Sequence, residues 1–261
     1  MKVIGIDPAP AKNSLVFDGE RFLEFTPFEL KEYINNLTLD YESVFISWDA
    51  PLSAAIDESN FSLTIRKIER FFNRLGRYAK ELNIPEGIST LGYATCPHWT
   101  LSQYIFALPI LNPSLQQPSE FTLVMSEDDI KTQGFYITEI HPALSMWILL
   151  KDTLKNNPIF KESWRYKGDK KPQTLEKRTH LIQELLKLPL VKNEVDVKRV
   201  VINTDDELDA FICWLMATLL VKQDKSVRIY GDSLYGSFLL PYDEEIYNNL
   251  DSYLIAESKK G

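Results

Sequence analysis

Residues 204–217, TDDELDAFICWLMA, decide how this chain is read. Thr204 followed three residues later by Glu207 is a capping box, which predicts a helix starting here. At about 100° per residue, Asp206, Asp209, Ala210, Cys213 and Ala217 fall along one stripe. Leu208, Phe211, Ile212, Leu215 and Leu219 fill most of the remaining circumference, with Trp214 to one side. A helix apolar nearly all round is a buried helix, and its small-residue stripe suits close approach to a sheet. Two carboxylates head that stripe. Burying them unpaired is costly, so a positive group is expected between them. Acids in a first turn favour the helix dipole, which accounts for Asp205, Asp206 and Glu207 but not for Asp209.

The chain has 261 residues, 44% of them hydrophobic, with no Gly/Ser-rich linker, repeat or low-complexity run. One domain over residues 1–261 with an insertion at 81–134 is the expectation. Cys96 and Cys213 lie far apart, which argues for a reducing compartment and against a disulfide framework. The apolar run at the N-terminus is too short for a signal peptide, and no stretch is long enough to span a bilayer. A cytoplasmic protein without membrane contact is expected. The net charge of -8 disfavours a general nucleic-acid coat protein but says little about an enzyme whose acids sit in a metal site.

Working outward from the helix, Lys2 to Asp7 is a short β-rich run stopped by Pro8 and Pro10. Ser14 to Phe17 and Arg21 to Phe25 flank Asp18-Gly19, a hairpin signal. Thr26, Pro27 and Glu29 cap a helix reaching about Leu37. Ser43 to Trp48 reads as a fully buried strand that ends at Asp49. A basic helix is predicted over Phe61 to Lys80, with Arg66, Arg70, Arg74 and Arg77 on one face. Residues 87–134 are read as a mostly helical insertion roofing the site. Phe135 to Ile140 is another buried strand, leading through Glu139 and His141-Pro142 into a helix. Phe160 to His180 is basic and aromatic, and a helix from Thr174 to Lys187 follows. Val227 to Tyr230 reads as a last short strand before an acidic, frayed tail.

Acids closing the first and fourth strands, with two more at i and i+3 on a late buried helix, resemble the ribonuclease H-like fold. The implied architecture is α/β, a mixed five-stranded sheet of order 3-2-1-4-5 flanked by helices, with the insertion before strand five. The Asp206-Glu207-Leu208-Asp209-Ala210 run is similar to the final helix of the Holliday-junction-resolvase branch. GIDPAPAK, WDAPLS, EIHPALSMW and DELDAF together resemble a family of uncharacterised bacterial and archaeal proteins described as predicted ribonuclease H-like nucleases. The resemblance implies metal ligands at Asp7, Asp49, Asp206 and Asp209, with Glu139 reaching the same rim as a fifth catalytic acid. It implies a nuclease that hydrolyses nucleic acid, DNA or RNA, with two Mg²⁺ or Mn²⁺ ions about 4 Å apart. The resolvase branch usually has Glu where this chain has Asp49, so reach is shorter there.

Around that core, Lys12, Arg66, Arg70, Lys167, Lys170, Lys171 and Arg178 are the candidate substrate contacts, with Trp164 and Tyr166 offered as stacking platforms. The oligomeric state is open, a dimer included. Two rival readings stand beside this one. A sugar-kinase or actin-like phosphotransferase also begins with a strand ending in Asp, but needs glycine-rich phosphate loops and a duplicated domain. A non-catalytic binding module retaining the fold differs from the nuclease in whether its rim holds metal.

Overall fold

The computed structural model describes residues 1–53, 55–57, 62–73, 77–88, 107, 121–168 and 171–259. Lys170, Arg74, Cys96 and most of the expected insertion lie outside the described residues. In chain order the elements are β1 (Lys2–Asp7), β2 (Ser14–Phe17), β3 (Phe22–Phe25), α1 (Pro27–Asp40), β4 (Ser43–Trp48), β5 (Ala55–Asp57) and β6 (Ser62–Thr64). There follow α2 (Lys67–Phe72), α3 (Arg77–Glu81), β7 (Phe121–Leu123), β8 (Gly134–Glu139), α4 (Pro142–Leu154), α5 (Pro172–Leu185) and α6 (Pro189–Lys192). The last four are α7 (Asp205–Val221), β9 (Val227–Asp232), β10 (Gly236–Pro241) and α8 (Glu244–Ser258).

Among the described residues the central sheet is mixed and has six strands, in the order β3-β2-β1-β4-β8-β7. β1, β2 and β3 pair antiparallel, whereas β1, β4, β8 and β7 run parallel. The expected five-strand order is present from β3 to β8, and β7 adds an edge strand the sequence did not announce. At three residues, Phe121–Leu123 is too short for its periodicity to separate it from the loops around it.

Alternation along the central strands assigns the two faces. Ile4, Ile6, Val44, Ile46 and Trp48 point to the face covered by Leu30, Ile34 and Leu37 of α1. Phe45 and Tyr136 point to the other face, under α4 and α7. Thr204 caps α7 as expected: its hydroxyl accepts from the Glu207 amide at 3.0 Å, and the Glu207 carboxylate accepts from the Thr204 amide at 3.1 Å. All residues from Leu208 to Leu220 are buried.

Two expectations need correction. Among the described residues of Phe61 to Lys80, the expected basic helix is instead a strand, β6, then two short helices. Thr64 and Ile65 are β-branched, Arg66 is in extended backbone at the cap of α2, and Asn73 leaves α2 extended as well. The acidic tail is ordered: β10 pairs antiparallel with β9, and α8 buries Ile246, Leu250 and Leu254 behind the cap of Asp243. No helix among the described residues is long and apolar enough to cross a membrane.

Helix α7 packs on β1 with almost no space between the backbones. A Cβ built on Gly5 would lie 2.2 Å from the Ala210 carbonyl oxygen and 2.2 Å from the Trp214 amide nitrogen, both backbone atoms. Neither can give way alone, so Gly5→Ala must lift the helix from the sheet. We expect it to cost at least about 3 kcal/mol, the upper range for overpacking, read as a lowered midpoint in urea unfolding. A stability equal to wild type would show that α7 does not rest on β1 this closely.

Candidate metal centre

Parallel pairing aligns the ends of three strands. Ile6 lies opposite Trp48, and Trp48 opposite Glu139. Asp7 and Asp49 come one residue later, and with a period of two they turn to the α7 face. Asp209, 1% exposed, meets them from the second turn of the helix. One ligand oxygen from each of Asp7, Asp49 and Asp209 can be chosen so that all lie within 4.8 Å of one another.

The positive group demanded by this burial is Lys167. Its Nζ lies 2.6 Å from Asp209 Oδ2 and 3.7 Å from Asp49 Oδ2, while its side chain stays half-exposed. The chain on either side is pinned. Tyr166 Oη donates to Asp209 Oδ1 at 2.5 Å, and the Gly168 amide donates to Asp205 Oδ2 at 2.9 Å. Further back, the Trp164 amide donates to the Glu86 carbonyl at 2.8 Å. Residues 164–168 therefore form a strap laid across the N-terminal end of α7.

Electrostatics follow from this crowding. Burial, then the negative charge of Asp209 and of Asp49, holds the Asp7 carboxyl well above its ordinary value. Burial also raises Asp209, and the Lys167 ammonium and Tyr166 hydroxyl oppose that rise without cancelling it. Burial alone would lower Lys167; Asp209, Tyr166, Asp49 and Asp7 outweigh it and hold the ammonium charged. The thiol of Cys213, next along the helix stripe, is pushed up by burial and by the same carboxylates, so it stays protonated.

All three donor groups are carboxylates, the hard oxygen ligands that Mg²⁺ and Mn²⁺ prefer, and an ammonium already lies where positive charge is stabilised. The residues fit a divalent cation.

The remaining sequence candidates are placed differently. Asp206 is at the rim, ion-paired with Lys12 of the β1–β2 turn, and is not one of the converging trio. Glu139 has the parity of Trp48 and Ile137, which pack on the α1 face. Its carboxylate accepts from Arg66 Nη1 at 2.7 Å and from the Leu52 amide at 3.0 Å. Arg66 is thus buried between Glu139 and Glu69 rather than on an exposed helical face. Arg178 is likewise buried and pairs with Asp205 at 3.1 Å. Arg70 and Lys171 are exposed. Trp164 and Tyr166 are buried, so neither presents a face on which a base could stack. His141 caps α4, its Nδ1 accepting from the Leu144 amide at 3.3 Å. The need for a cation is legible in the helix; that Lys167 supplies it, with Tyr166 beside it, rests on a long-range fold that no local pattern records.

Because Asp7 has a raised folded pKa, it favours folding below the ordinary carboxyl value of 3.8 and this contribution is lost as pH rises through the folded value. Asp7→Asn removes that loss. In chelator at neutral pH the variant should melt above wild type, by about 2–4 °C per kcal/mol relieved, and the gap should close toward pH 4. Wild type should gain more from added Mn²⁺ than the variant does. A lower melting point for Asp7→Asn in chelator, with no response of either protein to metal, would refute the crowded site.

A family model described as "Protein of unknown function (DUF429)" matches residues 122–234, less than half of the chain. The match covers Glu139, Lys167, Asp206 and Asp209 but not Asp7 or Asp49. No curated protein and no solved structure matches the chain.

Proposed function

We propose that this protein is a divalent-cation-dependent nuclease built on a ribonuclease H-like sheet. The observation that carries the reading is the convergence of Asp7, Asp49 and Asp209 at the carboxyl ends of two central parallel strands. Open α/β sheets hold their ligands at that edge. Bound there, Mg²⁺ or Mn²⁺ supplies the charge that acidifies an attacking water and offsets the leaving oxygen. Asp7, Asp49 and Asp209 would hold it, and Tyr166 fixes the rotamer of Asp209 through its hydrogen bond. The second ion implied by the resemblance would draw on Asp206, released from Lys12, or on substrate oxygen. Lys171, and Lys12 once released from Asp206, are the exposed phosphate contacts this reading favours, since Arg66 and Arg178 are buried in internal pairs.

The phosphotransferase reading gains nothing: the β1–β2 turn, Pro8 to Asn13, contains no glycine. One observation does favour a non-catalytic module, namely that Lys167 and Tyr166 between them engage both carboxylate oxygens of Asp209. Cleavage decides between them. Single- and double-stranded DNA, RNA and four-way junctions, labelled and incubated with Mn²⁺, should include at least one substrate that is cut. Asp209→Asn should then lose at least about 100-fold in rate, because even partners one shell out from a metal are worth 10–100-fold. Undiminished cleavage by Asp209→Asn removes the assignment, and no cleavage of any substrate favours the binding module.

Binding gives a separate test. Replacing Lys12 and Lys171 by Ala should weaken nucleic-acid affinity and reduce the salt slope by about one for each phosphate that is no longer neutralised. An unchanged slope would return both lysines to ordinary surface.

A further inference from the structure

We infer that Lys167 is a built-in cation of the carboxylate site, taking the place of a second divalent ion so that the resting protein binds one Mg²⁺ or Mn²⁺ rather than two. This rests on the metal reading above and concerns how many ions that site takes.

Three observations carry it. The first is position: the Lys167 ammonium lies within 4 Å of both Asp209 and Asp49, two of the carboxylates that would hold metal. The second is anchorage. Residues 166 and 168 are each bonded to an acid of α7, and Trp164 is bonded to Glu86. Gly87 packs so closely on the strap that a Cβ there would lie 2.6 Å from the Arg165 amide nitrogen. The backbone carrying Lys167 is therefore held in place, and its ammonium is held in turn by Asp209 and Asp49. The third is charge. Ionised to hold a metal, Asp7, Asp49 and Asp209 carry three negative charges, and Lys167 reduces them to two, which one divalent ion balances. Asp206, the acid a second ion would need, is already neutralised by Lys12. Two divalent ions beside Lys167 would overcharge the site.

Calorimetric titration of the full chain with Mn²⁺, with bound ion counted by electron paramagnetic resonance, tests this without any substrate. Wild type should take up one Mn²⁺ per chain. Lys167→Met should bind Mn²⁺ at least about tenfold more tightly, since a unit charge a few ångströms from the ion is removed. Lys167→Arg, which keeps the charge, should stay near wild type. Two ions in wild type, or the same affinity in wild type and Lys167→Met, overturns the role of Lys167 and leaves the metal site standing. If Lys167→Met does not fold, the wild-type stoichiometry alone still decides. No Mn²⁺ on wild type would overturn the metal site itself, and this inference with it.

Discussion

The backbone of α7 rests directly on β1 at Gly5, and the candidate site exists because of that contact. A side chain at Gly5 would hold the helix off, and Asp209, just before Ala210 on the face that meets Gly5, would no longer reach the strand ends. The stripe of Ala210, Cys213 and Ala217 serves the same end, since small residues let helix and sheet backbones approach. The apolar remainder of α7, buried from Leu208 to Leu220, supplies the packing that holds this approach together. Asp209 is thus presented by a helix buried along most of its length, a rigid support for a site that needs fixed geometry.

Crowding three carboxylates works against that packing. Burial raises both Asp7 and Asp209, the charges of Asp209 and Asp49 raise Asp7 further, and Lys167 relieves part of the cost without removing it. Where strain of this kind survives in a well-packed fold, a ligand able to relieve it is the natural physical reason, and a hard cation is the ligand this donor set suits.

Much of this is legible in the sequence. The capping boxes at Thr204 and Thr26, the Asp18-Gly19 hairpin and the buried run Ser43–Trp48 each combine a local signal with a matching apolar pattern, and each stands where expected. Asp7 and Asp49 stand out because an acid closing a buried strand is conspicuous. Expectation fails where pattern is ambiguous or long-range. Four arginines three or four apart suggest one helical face, but periodicity among charged residues does not require burial, and Arg66 turns inward to Glu139 and Glu69. The last helix, α8, does carry a readable signal in Ile246, Leu250 and Leu254 behind Asp243; the surrounding acids mask it.

Glu139 shows how finely the strand register sorts equivalent-looking acids. Like Asp7 and Asp49 it closes a buried parallel strand, and strand order alone places it at the same edge. Yet β8 aligns Glu139 with Trp48, not with Asp49. A shift of one residue exchanges the faces of a strand, so Glu139 leaves the sheet on the side opposite the trio. It meets Arg66 and the Leu52 amide there, three residues beyond Asp49 in the loop that follows β4. Removing either partner would leave a buried charge uncompensated, a loss of several kcal/mol in comparable pairs. The Glu139–Arg66 pair therefore fixes the loop that carries Asp49, and it shapes the site through the backbone while its own carboxylate stays out of it.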